Sequence, residues 1–257
     1  RHVVLVMSGK GGVGKSTVAA NLAANLAARG HSVGLLDADV HGPSVPRLLG
    51  LGGRQLTGTP NALQPLEGPQ GLRVISIASL VPGRDDAVIW RGPLKMRVYQ
   101  QLLADVEWGE LDFLLVDLPP GTGDEPLSIC QLIPEVSGAV VVTTPQELSV
   151  DDVRRCVSFC RQLNVPVIGV LENMSGMVCP HCGGQVHVFG RDGGRTMAKE
   201  LEVPFLGAVP LDPDVVRASD TGEPLDLQNL ETPTAEAFAK ALDAVEILAE
   251  NEEEQVL

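Results

Sequence analysis

Short apolar runs rich in β-branched residues recur along the chain, at Val3 to Met7, Ser32 to Leu36, Leu72 to Ala78, Phe113 to Val116, Gly138 to Thr143, Pro166 to Leu171 and Pro204 to Val209. Runs this short and this continuous read as strands buried on both faces. Between most of them the pattern turns helical, over Lys15 to Arg29, Pro93 to Val106, Val150 to Leu163, Gly194 to Leu201 and Ala235 to Ala249. Strand and helix in alternation predict an α/β fold: a doubly wound, mostly parallel β-sheet with helices on both faces, three layers in all. Gly30 and Gly109 fall where helices should end, and the stretch from Gly50 to Gly71, dense in Gly, Pro, Gln and Thr, reads as a surface excursion too short to be a domain. With no linker and no internal repeat in view, the expectation is a single domain over residues 1–249 followed by an acidic tail at 250–257.

Composition narrows the function classes. The 257 residues are 44% hydrophobic but only 3% aromatic, so a core of Val, Leu, Ile and Ala is expected. Nineteen basic against 33 acidic residues leave a formal charge of −14, and no cluster of Lys and Arg offsets it. Such a surface repels nucleic acid and anionic lipid, so neither is an expected partner. No apolar run approaches the length of about 20 residues needed to cross a bilayer. The first strand leads straight into a glycine-rich loop, and the cytoplasm is the expected compartment. The chain opens at Arg1 rather than at a methionine, which leaves room for a segment ahead of it. Five cysteines make an odd number for a disulfide framework, so each needs its own reading.

Gly9-Lys10-Gly11-Gly12-Val13-Gly14-Lys15-Ser16-Thr17 matches the phosphate-loop pattern G-x-x-x-x-G-K-S/T between a strand and a helix, the context the motif requires. Gly11 to Thr17 are therefore candidate nucleotide-binding residues: backbone N–H groups wrap the phosphates and the helix points its positive end at them. Lys15 would bridge the outer phosphates of ATP and Ser16 would ligand Mg²⁺. Asp117 ends the Phe113 to Val116 run, at the carboxyl edge where such sheets gather their ligands, and is the natural partner for a magnesium-bound water. Asp37 and Asp39 follow another strand, and Asp39, on the adjoining loop, is placed to orient an attacking water. For either acid the plainer alternative is an Asx-turn or a helix cap.

Cys179-Pro180-His181-Cys182, followed by Gly183-Gly184, is a turn that points two thiolates at one centre. Iron-sulfur cubanes and tetrahedral zinc both usually take four thiolates, and the chain holds no second C-x-x-C, so a symmetric dimer giving one pair each is the economical completion. Ligand chemistry alone leaves cluster and zinc level, with a redox pair as a further option. His181 and His187 read as loop residues rather than ligands, and Cys130, Cys156 and Cys160 as small core hydrophobes.

Lys10, inside the phosphate loop, makes the motif resemble that of the deviant P-loop ATPases, the group of MinD, ParA, the arsenite pump and the nitrogenase iron protein. That resemblance implies a signature lysine that reaches a partner's nucleotide, hence an ATP-sandwich homodimer. The runs Asp37 to Ser44, Trp90 to Pro93, Asp117 to Asp124, Glu172 to Gly176 and Cys179 to Cys182 together look like the Mrp/ApbC family of iron-sulfur cluster carriers, in family order over nearly the whole chain. The likeness implies that Lys10, Lys15 and Asp39 are catalytic and that Asp39 is the switch I carboxylate. It puts Gly121 in the switch II loop, and Asn173 and Pro210 at the adenine. It further implies a 4Fe-4S cluster on Cys179 and Cys182 of two chains, delivered to apo iron-sulfur proteins, with hydrolysis slow when no partner is present. Trp90 to Pro93 is a family match without a chemical role. Some members carry an additional N-terminal domain or four-cysteine site that this sequence does not show. The rival expectations are a positioning ATPase like MinD or ParA, and an ATP-gated interaction module stapled by zinc.

Overall fold

The computed structural model describes residues 1–59, 62–80, 92–179, 181–229 and 231–255. Strands β1 (His2–Met7), β2 (Val33–Asp37), β3 (Thr57–Thr59), β4 (Ala62–Gln64), β5 (Leu66–Glu67), β6 (Arg73–Ser76), β7 (Phe113–Asp117), β8 (Gly138–Thr143), β9 (Val167–Glu172), β10 (Met177–Val178), β11 (Gln185–Val186) and β12 (Phe205–Ala208) follow in chain order. The helices are α1 (Lys15–Ala28), α2 (Val45–Leu48), α3 (Gly92–Ala104), α4 (Asp124–Leu132), α5 (Glu147–Gln162), α6 (Gly193–Glu200), α7 (Pro213–Thr221) and α8 (Pro233–Gln255).

Eight strands form one sheet in the order β12-β9-β8-β1-β7-β2-β6-β5, parallel throughout except for the short edge strand β5. All seven anticipated strands lie in it, at the anticipated places to within a few residues, and the doubly wound expectation holds. Alternation along each strand divides the core. Val4 and Val6 of β1 face the cluster built on α1 and α8, whereas Leu5 and Met7 face the cluster built on α3 and α4. Val142 of β8 joins the first cluster and Val141 packs under α5 and α6. Burial on both sides is why these strands carry no polar stripe.

The Gly50 to Gly71 excursion is more ordered than its composition suggests, since it holds the β3–β4 hairpin and the edge strand β5. Helix α8 runs on to Gln255, so the acidic residues after Ala249 continue a helix. Trp90 and Arg91 lie outside the described residues, and Gly92 begins α3.

Two asparagines in α1 do work that hydrophobic patterning does not foresee. Asn21 Oδ1 accepts from the Leu225 N–H at 2.9 Å, Asn25 Nδ2 donates to the Leu225 carbonyl at 2.9 Å, and Asn25 Oδ1 accepts from the Leu227 N–H at 3.1 Å. The helix that opens at Lys15 is thus fixed to the segment leading into α8 through buried main-chain groups. Asn25→Leu keeps the branched outline of the side chain but orphans a buried N–H and a buried carbonyl, each costing about 1–3 kcal/mol. Chemical denaturation of this variant should show a loss of about 2–6 kcal/mol at unchanged m-value.

Candidate functional site

β1 lies between β7 and β8, while the chain leaving it crosses over β7 to form β2, so the strand order reverses beside the end of β1. Ligands of open α/β sheets collect at such a point. The loop from Ser8 to Gly14 emerges there and is gripped from three sides. Gly121 N–H donates to the Ser8 carbonyl at 2.7 Å, and Asn173 Nδ2 donates to the Val13 carbonyl at 2.9 Å. Gly9 is pressed against α5: a Cβ there would sit 2.8 Å from the Asp152 backbone carbonyl carbon. At the other end Gly14, with φ at +84°, turns the chain into α1 in the left-handed region that favours glycine. Gly11 and Gly12 are exposed, Val13 is buried in the core, and Ser16 and Thr17 follow at the half-buried start of α1.

Lys15 is 6% exposed and its Nζ donates to Asp117 Oδ1 at 2.5 Å and to Ser16 Oγ at 3.2 Å. Burial pushes the Asp117 carboxyl up, and the Lys15 charge and hydrogen bond pull it back in part. Its other oxygen, Oδ2, is buried with no hydrogen-bond partner. A buried carboxylate oxygen left unpaired is costly. This one, with the Ser16 hydroxyl nearby, is the donor set a hydrated Mg²⁺ takes, so the residues fit that ion.

Asp37 and Asp117 are register partners on neighbouring strands and both are fully buried. Asp37 is the structural member. Its Oδ2 accepts from Ser76 Oγ at 3.0 Å and from the Val45 N–H at 3.2 Å, and its Oδ1 from the Asp39 N–H at 3.3 Å. Burial first, and then the charge of Asp117, push Asp37 up to about 7. Asp39, nearly buried, makes an Asx-turn through Oδ1 with the N–H groups of His41 at 3.1 Å and Gly42 at 3.2 Å. The plainer reading of Asp39 thus holds for one oxygen, and the carboxylate lies near enough to Asp117 for its charge to help raise that group. Lys10 stands half-buried, its carbonyl accepting from Ser8 Oγ at 2.9 Å.

The adenine candidates come together at the end of β9. Ser175 N–H donates to the Val209 carbonyl at 2.8 Å and Val209 N–H to the Glu172 carbonyl at 2.7 Å, which sets Pro210 alongside the segment of Asn173. Glu172, which motif reading gave no role, ties this corner. Its buried carboxylate accepts from Ser175 Oγ at 2.5 Å and from the Gly194 N–H at 2.6 Å, at the start of α6. Only its place at the end of a buried strand hinted at this.

Two residues beyond Ser175 the chain enters the β10–β11 hairpin, which carries Cys179 and Cys182 at its turn. Cys179 N–H donates to the Gly184 carbonyl at 2.8 Å and Gly183 N–H to the Cys179 carbonyl at 2.9 Å. Cys179 is half-buried and Cys182 exposed. N–H groups of His181 and Cys182 directed at the Cys179 sulfur, followed by the Cys182 thiol, hold its thiol below the ordinary range, toward the thiolate that binds metals. Cys156 and Cys160 behave oppositely: both are buried, and desolvation pushes each thiol up to about 12. Cys130 is raised to about 11 for the same reason. Among the described residues no three His, Cys, Asp or Glu side chains converge on one metal position, and the pair supplies two. No helix of the described residues is long and apolar enough to cross a membrane.

A glycine-rich loop ahead of a helix, its lysine paired with a buried strand-end aspartate at a sheet switch point, defines a P-loop NTPase. The comparisons with known proteins agree. The family model described as the ParA group's NUBPL iron-transfer P-loop NTPase matches residues 1–246, and the chain belongs to that family. It is 48% identical over 245 residues to the iron-sulfur cluster carrier protein of Saccharolobus solfataricus, covering 95% of this chain and 83% of that one. To the cytosolic Fe-S cluster assembly factor CFD1 of Eremothecium gossypii it is 48% identical over 222 residues, covering 84% and 79%. Among solved structures, an ADP-bound, cobalt-containing nucleotide-binding protein of Archaeoglobus fulgidus superposes with a TM-score of 0.75 at 40% identity over 86% of both chains. MinD of Pyrococcus horikoshii with Mg-ADP shares the fold, with a TM-score of 0.71 at 21% identity over 96% of this chain and 97% of that one.

The position of Asp37 makes a pH prediction for the nucleotide-free protein. A carboxyl raised in the folded state binds its proton more tightly there than in the unfolded chain, where it titrates near 3.8. Its contribution is therefore fully present below about pH 4 and is lost as pH rises toward 7. Asp37→Asn carries no such proton, so its stability relative to wild type should climb between pH 4 and 7 and then level off. Paired urea melts across that range check it, and a flat difference would refute the assignment.

Proposed function

We propose that the protein is an ATP-binding and ATP-hydrolysing carrier of a 4Fe-4S cluster, working as a homodimer in the cytoplasm and handing the cluster to apo iron-sulfur proteins. The observation that carries this reading is a short covalent path. Asn173 grips the phosphate loop through Val13, and six residues later the same segment reaches Cys179 at a surface turn. One side chain thus joins the nucleotide loop to the segment that carries the thiols. The names of the relatives favour a cluster over zinc as the cargo, and the presence of only two thiols in the turn calls for a second chain to complete the set.

In the proposed cycle Lys15 exchanges Asp117 for the outer phosphates of ATP, which would leave Asp117 and Ser16 to hold the magnesium ion. Magnesium, when bound, neutralises phosphate charge. The backbone N–H groups of Gly11 to Thr17 wrap the phosphates, Asn173 and Pro210 flank the adenine, and Lys10 reaches the nucleotide of the second chain. Asp39 orients the water that attacks the terminal phosphoryl group, releasing phosphate and leaving ADP. Loops at Asp39 and at Asp117 to Asp124 respond to the terminal phosphate and alter the dimer face near the cysteines.

Purification without oxygen, with iron, zinc and acid-labile sulfide assays and a visible spectrum, tests the cargo. About four iron and four sulfide per dimer are expected in wild type, and neither in Cys179→Ala/Cys182→Ala. Stoichiometric zinc without sulfide would instead identify a stapled interaction module. Separately, Lys15→Ala should abolish measurable ATP binding in equilibrium dialysis while the thiol pair still takes up metal. Retention of both ATP binding and cluster transfer would defeat the coupling.

A further inference from the structure

Outside the residues that address nucleotide and cargo, one cluster of charged side chains bridges three elements at the phosphate edge. Lys95 of α3 donates to Glu125 Oε1 of α4, His41 Nε2 lies 3.1 Å from the same oxygen, and Lys95 Nζ lies 3.3 Å from His41 Nε2. Either tautomer of His41 finds a partner there: an N–H faces the carboxylate, or a lone pair faces the ammonium. Lys95 and Glu125 are each largely covered, at 17% and 24% exposure. Partial burial raises Glu125, but the hydrogen bonds from Lys95 and His41 outweigh it and hold the carboxyl below its ordinary range.

The placement of Lys95 runs against local preference. It stands in the first turn of α3, where the helix dipole disfavours a cation, so the helix itself does not explain it. One turn on, on the same face, is Tyr99, the chain's single tyrosine. Tyr99 is 2% exposed, its hydroxyl has no hydrogen-bond partner, and both Glu125 and Asp39 are close enough to raise its pKa further beyond what burial does. The early face of α3 is therefore turned toward the carboxylates of Glu125, in the first turn of α4, and of Asp39, on the loop after β2. The backbone of His41 is one of the two N–H donors holding Asp39 Oδ1, so whatever fixes His41 also fixes Asp39.

We infer that Lys95 is a positioning residue for ATP hydrolysis, fixing Asp39 in place through Glu125 and His41. The inference rests on the proposed role of Asp39 in orienting water. Lys95 touches neither nucleotide nor water in this scheme, so its removal should act on turnover and not on ATP affinity.

Steady-state ATPase assays on the full chain test it with wild type, Lys15→Ala, Lys95→Ala, Lys95→Arg, Glu125→Gln and the Lys95→Ala/Glu125→Gln pair, with thermal melts of each. Lys95→Ala should lower kcat about tenfold to a hundredfold, the range for a misplaced catalytic group, with KM for ATP changed less than about twofold. Lys95→Arg should recover most of the loss, and the double variant should be no slower than the slower single one, because both break the same chain of contacts. An unchanged kcat in Lys95→Ala, a loss that only tracks a lowered Tm, or additive effects in the pair would overturn the inference while leaving the ATPase reading intact. Wild-type turnover that is absent or indifferent to Lys15→Ala would overturn both.

Discussion

A single ammonium group buried between carboxylates governs the architecture of this protein. Asp37 and Asp117 end adjacent strands, point into the same dry edge of the sheet, and share the neighbourhood of Lys15. A parallel sheet sealed by helices on both faces makes that edge a place of low dielectric, where an unmatched charge is far more costly than at a surface. Lys15 satisfies one oxygen of Asp117, three hydrogen-bond donors satisfy Asp37, and the second oxygen of Asp117 is left over. Loop 38–45, the start of α1 and the loop after β7 are all arranged around these groups. The electrostatic problem at the sheet edge and the chemistry of the site are one problem.

Much of this was readable from the residues, for a physical reason. Strands buried on both faces must be continuously apolar, and the phosphate loop must use glycine where backbone approaches ligand or turns left-handed, so both leave local marks. Helices α4 and α7 left weaker ones. No residue of α7 is fully buried and only the half-buried Val215 and Ala218 pack against the core, so its apolar stripe is short, and α4 opens on Asp124-Glu125-Pro126, which reads like loop. The strands β10 and β11 are two residues each, too short for any period to emerge.

Interactions between distant segments were the least legible. Asp37 and Asp39 look alike in sequence, and only the arrival of Ser76 and Val45 separates a structural carboxylate from the one on the loop. Asn21 and Asn25 read as polar interruptions in an alanine-rich helix until their partners, some two hundred residues away, come into view. The Cys pair is the opposite case: its turn is local, with Gly183 in the left-handed region, and four residues suffice to announce it.

The three grips on the phosphate loop have a consequence for how a nucleotide is chosen. Gly121 holds Ser8, Asn173 holds Val13, and the α5 backbone at Asp152 backs Gly9. A loop immobilised in this way loses its conformational freedom during folding, so little ordering remains to oppose the ligand. Its amide dipoles bind any triphosphate about equally, because they meet only the part that all nucleotides share. Under the proposed placement of adenine, discrimination among bases is then left to the few atoms around Asn173 and Pro210. Asn173 has one amide hydrogen already committed to the loop, so in that placement phosphate recognition and base recognition are joined in a single side chain.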